Sequence, residues 1–359
     1  MKSKLSLIVI VCLTFFLFVK EASAKMYAYI IGTDGAISKI DADTDVVISK
    51  AQLDNASYIQ SGVTSVVADK TNNNLFVVTG RLTPSIYIYD LKTLTFKKDL
   101  GIKSGNPDVS MLISPNGKQF FISWFKDSGW FFDLYDAKNL SKIKNLGRFV
   151  WGPVTTFSTD GSKIYVYNEE NSTIQINETT NFTVLDNIDL TAIWKTDVFA
   201  QGIENYQGEK ILISETEKSK SADPSKDTLF VYDLKTKISS PRINTGLSGD
   251  EKLLPDGAKI ILNEEQVVLS EDGSYIKYRK SVGRLHVYDV ATGKKLGFVQ
   301  FTIDKDAKVI GIHPNGNKVY MAGNIQGNKS LVVMDIANLK VTKTLNISKN
   351  ALFMVFYSE

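Results

Sequence analysis

Short runs in which apolar and polar residues alternate recur from Met26 to the last residues of the chain, and a period of two predicts strands with one buried face. Several runs end in an aspartate followed by a turn. With Asp136 of WFFDLYDAKNL as reference, the matching segments are AISKIDADTD at Asp41, SIYIYDLKTL at Asp90, TIQINETTNF with Asn177, LFVYDLKTK at Asp233, LHVYDVATGKK at Asp289 and LVVMDIANLK at Asp335. The intervals are 49, 46, 41, 56, 56 and 46 residues, close to the ~40–50 of a repeat that forms one four-stranded propeller blade. Asp and Asn suit this position because their side chains accept hydrogen bonds from the backbone of the turn that follows.

A second turn lies upstream of most anchors, in SPNGKQFF, STDGSKIYV, SEDGSYIKY and HPNGNKVYM, with ADKTNNNLFV as a looser version. Asn-Gly and Asp-Gly accept the positive φ of tight hairpin turns. One repeat therefore reads as strand, Asp/Asn-Gly turn, strand, variable connection, strand, Asp turn, strand. The first repeat starts at MYAYIIG, already its second strand, while ALFMVFYSE at the other end is a strand without a repeat. The expected fold is all-β, a seven-bladed β-propeller over residues 25–359 closed by the C-terminal strand pairing into the first blade, which also hides both edges.

The first residues read differently. Lys2 and Lys4 precede an apolar run from Leu5 to Val19, and Ala22-Ser23-Ala24 follows as a small-residue cleavage site, so residues 1–24 are expected to be a signal peptide that leaves no membrane anchor. Its removal takes away three lysines and one glutamate from 42 basic and 39 acidic residues, which leaves a nearly neutral chain. A broad basic face for nucleic acid is not supported. Cys12, the only cysteine, goes with it, so no disulfide, thiolate or covalent haem attachment is expected.

Catalytic candidates are sparse. Of the two histidines, His286 falls in a central strand and His313 at a turn position held by Ser in sister repeats, and both are read as structural, with no metal expected. Asp41, Asp43 and Asp45 of DADTD invite a calcium reading, but they occupy the hairpin turn shared by every anchor and lack the glycine of an EF-hand loop. Sequons at Asn55, Asn139, Asn171, Asn177, Asn181, Asn328 and Asn346 fit an Asn- and Thr-rich β protein. Trp124, Phe125 and Trp130, around SWFKDSGW, read either as packing between blades or as a partner patch. Two repeats run long. The fifth carries SETEKSKSADPSKD between strands, and the surplus of the sixth is assigned to Thr245–Lys259, TGLSGDEKLLPDGAK, as a loop projecting from the rim.

With segments such as YVYNEENSTIQIN and FVVTGRLTPSIYIYDLKTL, the chain resembles the YVTN-type β-propellers and the amine-dehydrogenase β-chain-like superfamily over its whole mature length. Within that group it is most similar to the β subunits of the hydrazine synthases of anaerobic ammonium-oxidising (anammox) bacteria. That resemblance implies a cofactor-free propeller subunit whose partners, the α and γ subunits, carry haem and make hydrazine from nitric oxide and ammonium through a hydroxylamine-level intermediate. It also implies a place in the anammoxosome lumen, or otherwise the periplasm, and a partner or passage role for Gly249, Asp250, Glu251, Lys252 and Leu253. Alternatives from the same fold stay open: a β subunit of a quinohaemoprotein amine dehydrogenase, a lactonase-like hydrolase, or an exported binding module.

Overall fold

A computed structural model describes residues 25–32, 35–52, 63–79, 85–101, 109–126, 129–149, 155–168, 173–191, 198–206, 209–217, 228–245, 248–269, 276–301, 304–325, 328–347 and 351–358. The expected signal segment lies outside them. All regular structure among the described residues is β, in seven antiparallel sheets.

Blade one joins β29 (Ala351–Ser358) to β1 (Met26–Gly32), β2 (Ala36–Asp41) and β3 (Val46–Gln52), so the ends of the chain share one sheet as expected. Blade two holds β4 (Val63–Asp69), β5 (Asn74–Thr79), β6 (Ser85–Asp90) and β7 (Phe96–Asp99). Blade three holds β8 (Val109–Ile113), β9 (Gln119–Lys126), β10 (Gly129–Asp136) and β11 (Ser141–Phe149). Blade four comprises β12 (Thr155–Phe157), β13 (Lys163–Asn168), β14 (Thr173–Glu178) and β15 (Val184–Asp189). In blade five, β16 (Val198–Tyr206), β17 (Lys210–Glu217) and β18 (Thr228–Asp233) precede an outer edge split into β19 (Ile238–Ser239) and β20 (Ile243–Asn244) around Pro241, which has no N–H for the ladder. Blade six follows with β21 (Ser248–Leu253), β22 (Lys259–Leu269), β23 (Ile276–Asp289) and β24 (Lys295–Gln300). Blade seven is β25 (Asp304–Ile312), β26 (Lys318–Ile325), β27 (Asn328–Asp335) and β28 (Lys340–Asn346).

The inner strands β29, β4, β8, β12, β16, β21 and β25 face the axis, and β29–β4, β4–β8, β12–β16, β16–β21 and β25–β29 approach one another. The outer strands carry the exposed large apolar side chains, from Val46 and Ile48 on β3 to Val341 on β28. Among the described residues there is no single central core. Seven apolar clusters each lie in the junction between two adjacent blades, because alternation along every middle strand sends side chains to both faces of its sheet.

Each Asp anchor closes the same turn. Asp41, Asp90 and Asp233 accept backbone N–H bonds from the second and third residues after them, and Asp136, Asp289 and Asp335 from the third. The N–H of Thr44 and that of Asn338 hold the Asp41 and Asp335 carboxyls below the ordinary range. The fourth residue after each anchor has positive φ: Asp45, Leu94, Leu140, Phe182, Lys237, Gly293 and Leu339. Only blade six uses glycine there. Elsewhere Leu94, Leu140, Phe182 and Leu339 offset the strained backbone by packing into an inter-blade cluster.

This periodicity corrects the fourth anchor. Phe182 donates to the carbonyl of Glu178 at 2.9 Å, and Glu178 pairs with Lys163 as Asp335 pairs with Lys318, so Glu178 and not Asn177 is the anchor. Asn177 occupies the preceding position, where sister blades carry Ile40, Tyr89, Tyr135, Tyr232, Tyr288 and Met334. It is fully buried, which closes this sequon to modification in the folded protein. Neither its amide oxygen nor its nitrogen has a hydrogen-bond partner among the described residues. Asn177→Leu keeps the branching and removes the buried amide, and is expected to stabilise the protein by about 1–2 kcal/mol. Urea unfolding checks this, and a lowered midpoint would show that the amide is satisfied in solution.

Successive turns of a meander fall at opposite ends. The Asp turns and the first-to-second-strand turns therefore share one end of the propeller, and the second-to-third-strand and inter-blade connections share the other. At the turn end the blades interlock. Asn72 donates to the Gly117 carbonyl at 2.9 Å, and Asn116 to that of Asp160 at 3.4 Å. Gly117 has φ +64°, and a Cβ there would lie 2.3 Å from Thr71 Oγ1. The turn between blades seven and one is the most polar: Lys318 Nζ donates to the carbonyls of Ala42 and Asp43 at 3.0 Å each and to Asp45 Oδ2 at 2.8 Å. Tyr320 donates to Asp45 Oδ1 at 2.8 Å, and Lys343 Nζ to the Asp45 carbonyl at 2.6 Å. Of the DADTD carboxylates that suggested calcium, Asp45 thus receives a lysine ammonium group, while Asp41 and Asp43 accept backbone N–H groups.

Candidate functional site

Blade six departs from the repeat at the connection end. The sixth-repeat surplus is not the segment Thr245–Lys259. Ser248–Leu253 is β21, the inner strand, paired with β22 from Ser248↔Glu265 to Leu253↔Ile260, and Leu254–Lys259 is the ordinary first turn, with Asp256-Gly257 at its tip. Leu253 and Leu254 are buried between blades five to seven. Gly249, Asp250, Glu251, Lys252 and Leu253 are therefore strand residues beside the propeller axis, not a projecting loop. The physical reason is that Leu253-Leu254 supplies the apolar positions an inner strand needs. The SEDG turn of the sequence reading lies between β22 and β23, outside the described residues.

The surplus is a ribbon. Past Glu265↔Ser281 the ladder of β22 and β23 continues from Gln266↔Lys280 to Leu269↔Ile276, whereas β21 pairing ends at Ser248↔Glu265 and β24 pairing at Arg284↔Gln300. Among the described residues the two strands thus run on with no third strand hydrogen-bonded to them, although β25 of blade seven lies close to β23. Two-stranded ribbons of this kind are marginal in water, so this one calls for support at its root or from a partner.

The root is built with care. Between Asn263↔Leu285 and Glu265↔Ser281 the register slips, leaving Glu264 opposite Val282, Gly283 and Arg284. Glu264 is turned inward and is buried, with 8% of its surface exposed. Its Oε2 lies 2.6 Å from Nε2 of His286, which is 2% exposed, and its Oε1 lies 3.1 Å from Nη2 of Arg284. Both carboxylate oxygens are thereby partnered by groups on β23. Beside them Asn263 accepts from Ser281 Oγ at 3.1 Å and donates to the Ala307 carbonyl of blade seven at 3.0 Å. Gly283 has φ +75°, and a Cβ there would stand 2.4 Å from the Phe301 carbonyl. Its own carbonyl accepts from Phe301 N at 2.9 Å and Gln300 Nε2 at 3.0 Å. Three ties, to blade seven, to β24 and across the ladder, fix where the ribbon leaves the blade.

His286 also faces Phe298, with ring centroids 5.8 Å apart, and Phe298 is half exposed under Lys295. Burial holds the His286 imidazole below its ordinary pKa, opposed by the hydrogen bond to Glu264. His313 is shifted the same way, again chiefly by burial; its Nδ1 lies 2.6 Å from Asn315 Oδ1 in the first turn of blade seven, far along the chain from the ribbon root.

The aromatic candidates lie in blade three. Trp124 and Phe125 are on β9 and Trp130 on β10, with Phe125 paired to Trp130. Trp124 Nε1 donates to Asp133 Oδ2 at 3.2 Å, its ring stacks on Phe131 at 4.7 Å, and it packs against the junction of blades two and three. Lys142 and Asn145 complete the partners of Asp133, at 2.6 and 2.7 Å. These contacts use Trp124 in packing. The structure does not bring it together with residues 249–253 of blade six. Sequence reasoning missed the root cluster; the available signals were the polar pair Glu264-Glu265 inside an apolar run and Gly283 inside a strand.

No protein-family model and no curated protein matches the sequence. Among solved structures, the fold is similar to that of Kuenenia stuttgartiensis hydrazine synthase, at 13% identity and a TM-score of 0.59 over 86% of this chain and 95% of that one. It is also similar to dihydro-heme d1 dehydrogenase NirN, at 12% identity and 0.57 over 92% of this chain and 75% of that one. A functionally unknown protein from Desulfotomaculum acetoxidans matches at 11% and 0.62, over 92% and 98%. At such identities the likeness establishes the fold, and the chain is a seven-bladed β-propeller of the architecture found in hydrazine synthase.

Proposed function

We propose that this chain is a non-catalytic, cofactor-free propeller subunit of an exported multi-haem complex of the hydrazine synthase kind, with the blade-six ribbon as its docking arm. The observation that carries the reading is the ribbon itself: two strands with no third paired to them among the described residues, mounted on a buried polar root at the variable end of the ring. Such an arm gains its missing contacts from a neighbour, and a haem-bearing α or γ subunit is the neighbour that the likeness to hydrazine synthase suggests. Asp250 or Glu251, on the inner strand of the same blade, would then influence the passage of a small polar intermediate in a complex that condenses nitric oxide and ammonium. Export places that complex in the anammoxosome lumen, or otherwise in the periplasm.

The test is purification of the native, untagged protein from its source, beside a variant whose residues 266–280 are replaced by Asn-Gly to join β22 and β23 directly. The native protein is expected to bring down polypeptides with a haem absorbance band, and the shortened variant to fold and to lose them. A solitary, colourless chain in the native preparation would overturn the proposal. Unchanged capture by the variant would remove the arm from it.

A further inference from the structure

The ribbon root joins a hinge-like interruption of the ladder to a buried carboxylate and imidazole, and this pairing has a consequence for how the ribbon is held. With Nε2 facing Glu264, the neutral imidazole donates from Nε2 and leaves Nδ1 as an acceptor. Nδ1 is buried and has no hydrogen-bond partner among the described residues. Protonation would place an N–H on that atom where nothing accepts it, in a site already closed to water. The charged groups around the ring are Glu264 on β22, Arg284 on its own strand and Lys295 on β24, with Tyr288 also near. Among the described residues, blade five contributes the apolar Leu212, Leu229, Val231 and Ile243 to the junction. Relief comes from opening the root, which the register slip at Glu264 and the glycine at 283 permit.

We propose that Glu264, His286 and Arg284 form a proton-sensitive latch that keeps the blade-six ribbon seated while His286 is neutral and frees it when the imidazole takes up a proton. The latch supplies regulation to the docking arm and rests on that reading for its purpose, yet it is a property of the isolated chain. Its sign follows from linkage. A histidine held below its ordinary value contributes fully to the seated form above pH ~6.5, and that contribution fades as pH falls further.

Amide hydrogen exchange of the mature chain alone tests this without any partner, so its failure leaves docking standing and a failed docking test leaves the latch standing. After correction for intrinsic rates, amides of β22 and β23 are expected to lose about tenfold in protection between about pH 7.5 and 5.5, the limit for one proton bound only in the open form. Strands β5 and β6 of blade two, which carry no histidine, should not change. His286→Gln retains a donor for Glu264 but does not titrate, and is expected to abolish the response. An equal response in that variant, or a uniform loss in every blade, would overturn the latch. Should His286→Gln not fold, NMR titration of His286, assigned in a His313→Asn background, decides the matter: a midpoint above ~6.5 rejects the proposal and one below it supports it.

Discussion

Deletion of residues 351–359 is expected to abolish cooperative unfolding and not merely to lower its midpoint. The lost strand β29 is the inner strand of blade one, paired with β1 from Met26↔Ser358 to Gly32↔Ala351 and lying beside inner strands of blades two and seven. Two junctions fail together. The junction of blades one and two loses Tyr357, whose ring stacks on Tyr29 at 5.3 Å and whose hydroxyl accepts from Lys39 at 2.6 Å. The junction of blades seven and one loses Met354 and Phe356. At ~1.5–3 kcal/mol for each large apolar side chain fully buried, these side chains alone amount to a large share of a net stability of ~5–15 kcal/mol. The exposed edge of β1, with Ala28, Tyr29, Ile30 and Ile31 now uncovered, is then a template for pairing with other chains. Calorimetry and size exclusion check both parts. A truncated chain that melts as sharply as the intact one and stays monomeric would disprove the closure.

Lys318→Met is expected to destabilise the protein by about 3 kcal/mol, through the closing turn and not through any lost apolar contact. Methionine keeps the length of the stem but leaves Asp45 Oδ2 and the carbonyls of Ala42 and Asp43 without their cation. Tyr320, whose hydroxyl is kept protonated by burial and by Asp45, still donates to Oδ1, so the carboxylate retains one side-chain partner. Asp45→Asn in the Lys318→Met background should restore part of the loss, because it removes the buried charge and asparagine tolerates the φ of 54° at this position. Denaturant unfolding of the two single variants and the double variant measures the coupling. A sum of single effects would show that lysine and aspartate act independently, and that the turn does not depend on their pairing.

The ring and its closure were legible because an Asp turn leaves a local mark: a short acceptor side chain, then a residue four positions on in the left-handed region. Where that mark was imitated, reading went astray. Asn177 looks like an anchor because asparagine forms turns, while the actual anchor, Glu178, has a side chain poorly suited to that role; the strand register and the backbone bond from Phe182 tell them apart. In blade six two Asp-Gly pairs stand 16 residues apart, at Gly257 and Gly273, and the 19 residues from Ser270 to Asp289 equal those from Ser158 to Asn177, so the second pair reads as the first turn, whereas the structure has that turn at Asp256-Gly257. Nothing local separates the two. What separates them is that Leu253-Leu254 must be buried between blades. The root cluster was out of reach for a different reason: Glu264 and His286 lie 22 residues apart, and their meeting depends on a slip in register that no residue type announces.

The seam of blade one also sets how the molecule answers force. Met26 is opposite Ser358, so the two ends of the folded ring emerge side by side at the turn end. A pull applied between them loads the β1–β29 ladder one rung at a time from that pair inward, which is peeling and not shear. Along this axis the ring is weak, however well its junctions hold at rest, and its first rupture would release β29 while the other six sheets stay whole. Anything fused at either end hangs on the side opposite the ribbon, and tension carried through such a fusion reaches the seam before it reaches blade six.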